Sequence, residues 1–208
     1  MNPLPPQAPK ARSLVLGSTS PYRRELLQRL RIPFDVAAPD VDETPHAGET
    51  PRVLAQRLAQ AKAIAVAHRF PQAVVIGSDQ VADLKGVPLG KPGTHDKAVA
   101  QLRQMRGQTV VFHTAVSVVC SETGFEESSL ASVNVTFRDL TDLEIENYLR
   151  AEQPYDCAGS AKSEGLGIAL LTSIDSDDPT ALVGLPLIRT CQMLRAAGIE
   201  LLTPTPTH

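Results

Sequence analysis

The sequence lacks the features of several common protein classes. It has only three cysteines in 208 residues, Cys120, Cys157 and Cys191, which are far apart and show no CxxC or Cys/His ligand spacing. We therefore expect reduced core thiols rather than a disulfide framework or a zinc site. No apolar run approaches the roughly 20 residues that span a bilayer, and prolines occupy the amino-terminal segment where a signal peptide would need an apolar stretch. These absences predict a cytoplasmic protein that does not associate with membranes.

A general positive field is also missing. The formal net charge of -3 argues against binding a nucleic-acid polymer through its phosphates, so any anion site must be local. With 42% hydrophobic and 21% charged residues, the chain has the composition of an ordinary globular protein with a sizeable core.

The order of sequence patterns predicts an α/β fold. Apolar runs typical of strands alternate with helical patterns along the chain. The runs TVVFHTAVSVVC and SLASVNVTF, joined by a turn, favour an antiparallel hairpin and hence a mixed, twisted sheet with flanking helices. The proline-rich ends, residues 1–12 and 203–208, are expected to be flexible, which leaves a single domain over residues 13–202.

Three helix starts are legible in the sequence. Thr50 precedes Pro51, Thr94 precedes a helical pattern, and Thr141 has a glutamate, Glu144, three residues later. The last pair predicts a capping box, in which each residue's side chain bonds the other's backbone.

The stretch LVLGSTSPYRRELLQRL passes from strand to helix through hydroxyl and guanidinium groups. Such a junction exposes unpaired backbone N–H groups and the positive end of the helix dipole, so Ser18, Arg23 and Arg24 would complete an anion site there. The alternative is structural: Ser20 caps the helix, Pro21 takes its first turn, and both arginines are solvated.

Four further stretches carry groups suited to a nucleotide. The carboxylates of PDVDETP, which include Glu43, suit a magnesium ion. Asp79 follows the apolar run AVVIGS, at the strand end where open α/β sheets bind ligands. Lys91 projects from the tight turn GVPLGKPGT, and Glu164 lies in the small-residue stretch CAGSAKSEGLG. Each has a plainer explanation as a solvated loop or close-packed turn, yet together they predict a nucleoside triphosphate site.

Together these residues resemble the Maf family of nucleoside triphosphate pyrophosphatases. The family's opening signature of serines, proline, paired arginines and paired leucines is matched by residues 18–27, and the segments VDE, RLAQAKA, IGSDQV, GKP, CAGS, SEG and DPTALVGLPL follow in the family's order. The resemblance implies an elongated, two-lobed Maf/ITPase-like fold with a central cleft. It also implies a divalent cation, Mg²⁺ or Mn²⁺, and hydrolysis of a nucleoside triphosphate between the α and β phosphates. The same analogy allows a homodimer.

The resemblance also implies roles for individual residues. Asp79 matches the family's acidic catalytic residue, and with Glu43 it would hold the metal. The residues implied to bind phosphate are Ser18, Arg23, Arg24, Lys62 and Lys91. Whether Asp79 deprotonates water or chiefly binds metal stays open.

Three positions, Tyr22, Gln80 and Glu164, are implied to select the base. The family's pyrimidine-nucleotide subgroup usually has arginine, threonine and glutamine there, so this set is similar to the subgroup acting on 7-methyl-GTP, which more often has tryptophan for Tyr22. N7-methylation makes guanine cationic, which an aromatic face attracts, and the carboxylate of Glu164 could accept bonds from the guanine edge.

The function implied is removal of a modified nucleotide. Two alternatives are a pyrophosphatase acting on dTTP, UTP or a broad range of nucleotides, and a nucleotide-binding regulator of cell division or septum formation.

Overall fold

A computed structural model describes residues 12–202. The ends predicted to be flexible, residues 1–12 and 203–208, lie outside these described residues except for Arg12. The strands within this range are β1 Leu14–Gly17, β2 Asp35–Val36, β3 Val74–Leu84, β4 Val87–Leu89, β5 Thr109–Cys120, β6 Phe125–Phe137 and β7 Leu171–Asp175. The α-helices are α1 Pro21–Gln28, α2 Pro51–Ala67, α3 His95–Met105, α4 Asp142–Glu152 and α5 Leu187–Ala196.

The strands form one mixed sheet in the order β2-β1-β3-β5-β6-β7, and β4 pairs with β3 outside this path. Strand β1 runs parallel to β2 and β3, whereas the other pairings are antiparallel. The β5–β6 hairpin pairs Thr109 with Thr136 at its open end and Cys120 with Phe125 beside the turn. The predicted α/β class, mixed sheet and hairpin are therefore confirmed.

The helix starts read from the sequence are also confirmed. The side chains of Thr50 and Thr94 each accept a hydrogen bond from the backbone three residues later. Thr141 and Glu144 form the reciprocal capping box at the start of α4. These contacts satisfy backbone N–H groups that the first turn of a helix leaves unpaired.

Alternation along β3 divides the core between the two faces of the sheet. Val75 packs against α2 on one face, whereas Ile76 joins an apolar cluster with α1 and α5 on the other. Further along the strand, Ala82 belongs to another large apolar cluster, which contains residues of α3 and α4. Two main clusters at opposite ends of β3 agree with the two-lobed arrangement that was expected.

Helix α2 lies unusually close to the sheet because paired strand positions are glycines. Gly17 and Gly77 are neighbours in register. A Cβ added at Gly77 would lie 2.3 Å from the carbonyl oxygen of Ala59 and 2.4 Å from the nitrogen of Ala63. No side chain larger than hydrogen fits there without moving the helix. The close contact brings Lys62, which precedes Ala63 on the buried side of α2, up to strand β3.

Candidate active site

A cleft with a volume of about 530 Å³ opens beside the middle of β3. Asp79 lies in the interior of this strand, which continues to Leu84, so the expectation that it follows the strand end is wrong. The cleft brings together nine of the ten residues that sequence analysis selected. They are Ser18, Tyr22, Arg23, Glu43, Lys62, Asp79, Gln80, Lys91 and Glu164.

The tenth residue, Arg24, lies outside this cleft. Its side chain is exposed and lines a separate surface pocket with Gln28 and Phe34. Successive helical residues point about 100° apart, so Arg23 and Arg24 cannot both face the cleft from α1. The alternative in which both arginines are solvated therefore fits Arg24 but not Arg23. We leave Arg24 out of the residues proposed to bind phosphate.

A buried lysine joins two carboxylates at the centre of the cleft. The Nζ atom of Lys62 lies 2.6 Å from Oδ1 of Asp79 and 2.7 Å from Oε1 of Glu43. The side chains of Lys62 and Asp79 are only 6% and 10% exposed, whereas that of Glu43 is 60% exposed. A buried ammonium requires such partners because it has lost its hydration.

Burial also changes the pKa of Asp79. Desolvation raises the pKa of Asp79, and the nearby charges of Lys62 and Arg23 oppose that rise. A carboxylate that burial makes more basic, yet that cations keep oriented, has the properties of a proton acceptor or a metal ligand.

Arg23 and Ser18 form one wall beside this acid. The Nε atom of Arg23 donates to the carbonyl oxygen of Gly184 at 2.8 Å, and its Nη1 lies 3.4 Å from Oγ of Ser18. Desolvation lowers the pKa of Arg23, while Asp79 and Glu43 raise it. A guanidinium starts from so high a pKa that it stays charged. Ser20 caps this helix and Pro21 occupies its first turn, as the structural alternative predicted.

The loop that carries Lys91 is held on both sides. Gln101 Nε2 donates to the carbonyl oxygen of Gly90 at 2.9 Å, and the Gly93 N–H donates to Tyr155 at 3.0 Å. Lys91 itself is exposed and lines the cleft. Its ammonium is therefore available to a ligand from a fixed backbone position.

Another part of the cleft wall is acidic and aromatic. The hydroxyl of Tyr22 donates to Oδ2 of Asp156 at 3.4 Å, and the Lys162 ammonium lies 5.8 Å from the centre of the Tyr22 ring. Glu164 is exposed and accepts a hydrogen bond from its neighbour Ser163 at 3.0 Å. Sequence analysis gave no site role to Asp156 or Lys162, although both lie within or directly beside the stretch CAGSAKSEG. We call the region formed by Tyr22, Asp156, Lys162 and Glu164 the base end of the cleft.

The expectation that all three cysteines are core thiols is wrong for Cys157 and Cys191, which are half-buried. Cys157 also lies at the base end and lines the cleft beside Tyr22. Burial, together with the charge of Asp156, raises the pKa of Cys157 to about 11, which keeps it a neutral thiol. Cys120 is buried, and none of the three cysteines forms a disulfide.

Gln80 has a structural role in addition to lining the cleft. Its Nε2 lies within 3.0 Å of Thr114 Oγ1 and of the carbonyl oxygens of Ala181 and Leu182. These bonds hold the short 3₁₀ turn Ala181–Val183 against the sheet. Because its amide hydrogens are committed to the protein, only the Gln80 carbonyl oxygen remains for a ligand.

The donor set fits a hard divalent cation that binds together with phosphate. Glu43 and Asp79 share one ammonium, and within residues 12–202 no group of three or more His, Cys, Asp or Glu side chains could hold a metal ion. Mg²⁺ needs only one or two carboxylates when waters and substrate phosphates complete its shell.

Within residues 12–202, no helix has the length and apolar character needed to cross a membrane.

The fold and cleft define a class of α/β proteins in which cations surround a buried acid, a combination suited to an anionic ligand. A family model described as Maf-like protein matches residues 13–197, and the chain belongs to this family. It is 78% identical over 200 residues to the 7-methyl-GTP pyrophosphatase of Polaromonas sp. strain JS666, covering 96% of this chain and 91% of that one. It is 73% identical to the 7-methyl-GTP pyrophosphatase of Albidiferax ferrireducens, covering 93% and 98% respectively. The Staphylococcus aureus Ham1 protein is a more distant structural neighbour, with a TM-score of 0.45 and 17% identity over 62% of this chain and 73% of that chain.

Proposed function

We propose that this protein hydrolyses 7-methyl-GTP at the α–β phosphate bond and releases 7-methyl-GMP and pyrophosphate. The main supporting observation is that a single cleft is lined by the Lys62–Asp79 pair, by further cations suited to phosphate and by the aromatic, acidic base end. The names of relatives that are 78% and 73% identical over nearly the whole chain support the same substrate.

In this proposal the cations bind the triphosphate. Arg23, Lys62 and Lys91 neutralise charge on the non-bridging oxygens, and the Ser18 hydroxyl adds a hydrogen bond. Low exposure makes the interaction of Lys62 stronger than it would be in water, whereas exposed Lys91 is screened more strongly. Arg23 is oriented before substrate arrives because Gly184 holds its Nε.

The acid in this cleft serves the attacking water. Asp79 is held by Lys62 in a fixed orientation, and burial raises its pKa toward the range of a useful proton acceptor. Glu43 and Asp79 would hold Mg²⁺ or Mn²⁺, which supplies further neutralisation of phosphate charge when bound. A pH–rate profile measured at several metal concentrations separates proton acceptance by Asp79 from metal ligation.

At the base end, Tyr22 and Glu164 select the base. The Tyr22 ring offers a stacking face that attracts a cationic methylguanine. The Glu164 carboxylate accepts from N1–H and N2–H₂ of guanine, a pair of donors that uracil and thymine lack.

We also propose that residues 13–202 act as one domain, because β3 and β5 contribute to both main apolar clusters and no cluster is separable from the sheet. A cytoplasmic location and a homodimer remain predictions.

The test is a substrate panel with product analysis. We expect pyrophosphate release with 7-methyl-GTP to exceed that with GTP, UTP or dTTP, and to stop when a chelator removes the divalent cation. Faster turnover of UTP or dTTP would favour the pyrimidine alternative. Tight nucleotide binding without pyrophosphate release would favour the regulatory alternative.

A further inference from the structure

The carboxylate of Glu152 lies behind the base end of the cleft without lining it. Its Oε1 is 3.1 Å from Nζ of Lys162, and its Oε2 accepts the N–H of Leu166 at 2.8 Å. The Leu166 N–H and the Lys162 ammonium lower the pKa of Glu152, and Glu152 raises the pKa of Lys162. Both groups are therefore charged at neutral pH.

The loop that carries Glu164 fits tightly around this carboxylate. A Cβ added at Gly165 would lie 2.6 Å from Oε2 of Glu152, and one at Gly167 would lie 2.4 Å from the carbonyl oxygen of Lys162. The N–H of Lys162 also donates to the hydroxyl of Tyr148 at 3.0 Å. The backbone of Lys162 is thus fixed, which places its ammonium near the Tyr22 ring.

That ammonium creates an electrostatic problem for a cationic base. Two like charges several ångströms apart in a partly desolvated cleft repel each other. Glu152 offsets the lysine charge, and Asp156 and Glu164 add two more negative groups at the same end. One cation against three carboxylates leaves the base end negative, although a lysine is part of its wall.

We propose that Glu152 cancels the charge of Lys162 and thereby lets the negative base end favour a positively charged, N7-methylated guanine over unmethylated guanine. The inference rests on the proposed function and adds a residue that does not touch substrate. Glu152 is a positioning residue, because it acts through the charge of Lys162 and the loop of Glu164. Glu164 differs from it because Glu164 lines the cleft and would contact the guanine edge directly, in addition to contributing negative charge.

The first test compares kcat/KM for 7-methyl-GTP and GTP in Glu152→Gln. This substitution keeps an oxygen acceptor for the Leu166 N–H but leaves the Lys162 charge without its partner. We expect the preference for 7-methyl-GTP over GTP to fall about five- to tenfold. Glu122→Gln removes the same charge from an exposed pair with Arg12 outside the cleft, and it should leave the preference unchanged.

The second test uses charge compensation, which a merely structural role would not reproduce. The double variant Glu152→Gln/Lys162→Met removes both charges and should return the preference to within about twofold of the parent. Lys162→Met alone should raise the preference, because it removes only the positive charge. Inhibition by pyrophosphate should be the same in every variant, since Arg23, Lys62 and Lys91 are unaltered.

Several outcomes would overturn the inference. They are an unchanged preference in folded Glu152→Gln, no recovery in the double variant, and an unchanged or lower preference in Lys162→Met. An equal rise in KM for both nucleotides in Lys162→Met would instead make Lys162 a phosphate ligand, which also overturns it. If the parent protein hydrolyses neither guanine nucleotide, the proposed function itself fails, and the two failures are therefore distinct.

Discussion

The ammonium of Lys62 lies 2.6 Å from the carboxylate of Asp79, and this contact joins helix α2 to strand β3 inside the cleft. The pair is possible because Gly77, two residues before Asp79, lets the helix backbone lie directly on the strand. The close packing of α2 on the sheet therefore matters for the site, because the same helix carries the Lys62 ammonium that orients the Asp79 carboxylate.

Asp79→Asn should abolish hydrolysis without unfolding the protein. The amide keeps the shape of the carboxylate but can neither accept a proton nor hold a metal as an anion. We expect pyrophosphate release to fall at least about 100-fold, while circular dichroism and nucleotide binding are retained. Near-normal turnover in a folded variant would remove Asp79 from the catalytic role.

Gly77→Ala should damage both stability and activity. The added methyl group would overlap the backbone of α2 at Ala59 and Ala63, so the helix must move away and carry Lys62 with it. Overpacking of this kind costs about 1–3 kcal/mol, which thermal unfolding would detect. Gly90→Ala is the stability control, because a Cβ there meets nothing within 4 Å. Equal unfolding temperatures for both variants would contradict the prediction.

Much of the fold could be predicted because its signals are local. The capping box of Thr141 and Glu144 and the turn of the β5–β6 hairpin depend on residues close together in sequence. Strands β4 and β7 were not predicted. Val87–Leu89 has only three residues and contains a proline, and Leu171–Asp175 is largely exposed at the sheet edge, so neither shows an apolar pattern.

The two adjacent arginines of α1 should behave differently. Arg23→Ala removes a half-buried guanidinium that lines the cleft, so triphosphate binding or turnover should weaken about 10- to 100-fold. Arg24→Ala is the matched control, since the same side chain is removed from an exposed position outside the cleft. Steady-state kinetics measure both effects. Equal losses in the two variants would mean that the cleft does not bind phosphate through Arg23.

Lys91→Ala should give a smaller loss than Arg23→Ala. Lys91 also lines the cleft, but it is exposed, so water screens its charge more strongly. We expect mainly a higher KM, with kcat less affected. Unchanged values of both constants would return Lys91 to the solvated-loop interpretation.

Glu49→Gln should lower stability in a pH-dependent way. The carboxylate of Glu49 contacts Arg57 Nε at 2.7 Å and accepts the His46 N–H at 2.9 Å, which lowers its pKa from 4.5 to about 2. A lowered carboxyl pKa stabilises the folded state fully above pH 4.5, and this stabilisation disappears as the pH falls toward 2. The unfolding temperature of the parent should therefore exceed that of Glu49→Gln at pH 7, with a gap that narrows below pH 4.5. A gap that is constant with pH would exclude this linkage, and the exposed Glu127→Gln is the control.

The site was predictable as a set of residue types but not as a geometry. Sequence order showed that Tyr22, Asp79 and Glu164 carry useful groups, yet the helix phase that separates Arg23 from Arg24 follows from how α1 packs on the sheet. The commitment of the Gln80 amide to Ala181 and Leu182 depends on a contact about a hundred residues away in sequence, and no local pattern records it.

The last prediction concerns base selection by Tyr22 and Glu164. Glu164→Gln replaces two acceptor oxygens with one oxygen and an NH₂ donor, so it should reduce kcat/KM for both guanine nucleotides by roughly ten- to a hundredfold relative to UTP. The loss should be larger for 7-methyl-GTP, because a negative charge is also removed from the base end. Tyr22→Arg removes the stacking face and adds a cation beside Lys162, so it should affect 7-methyl-GTP more than GTP. The double variant should shift furthest toward UTP or dTTP, while inhibition by pyrophosphate stays constant because Arg23, Lys62 and Lys91 are intact. If the double variant kept the parent's ranking of 7-methyl-GTP over UTP, other residues would select the base, and the assignment of a pyrophosphatase would stand without this specificity.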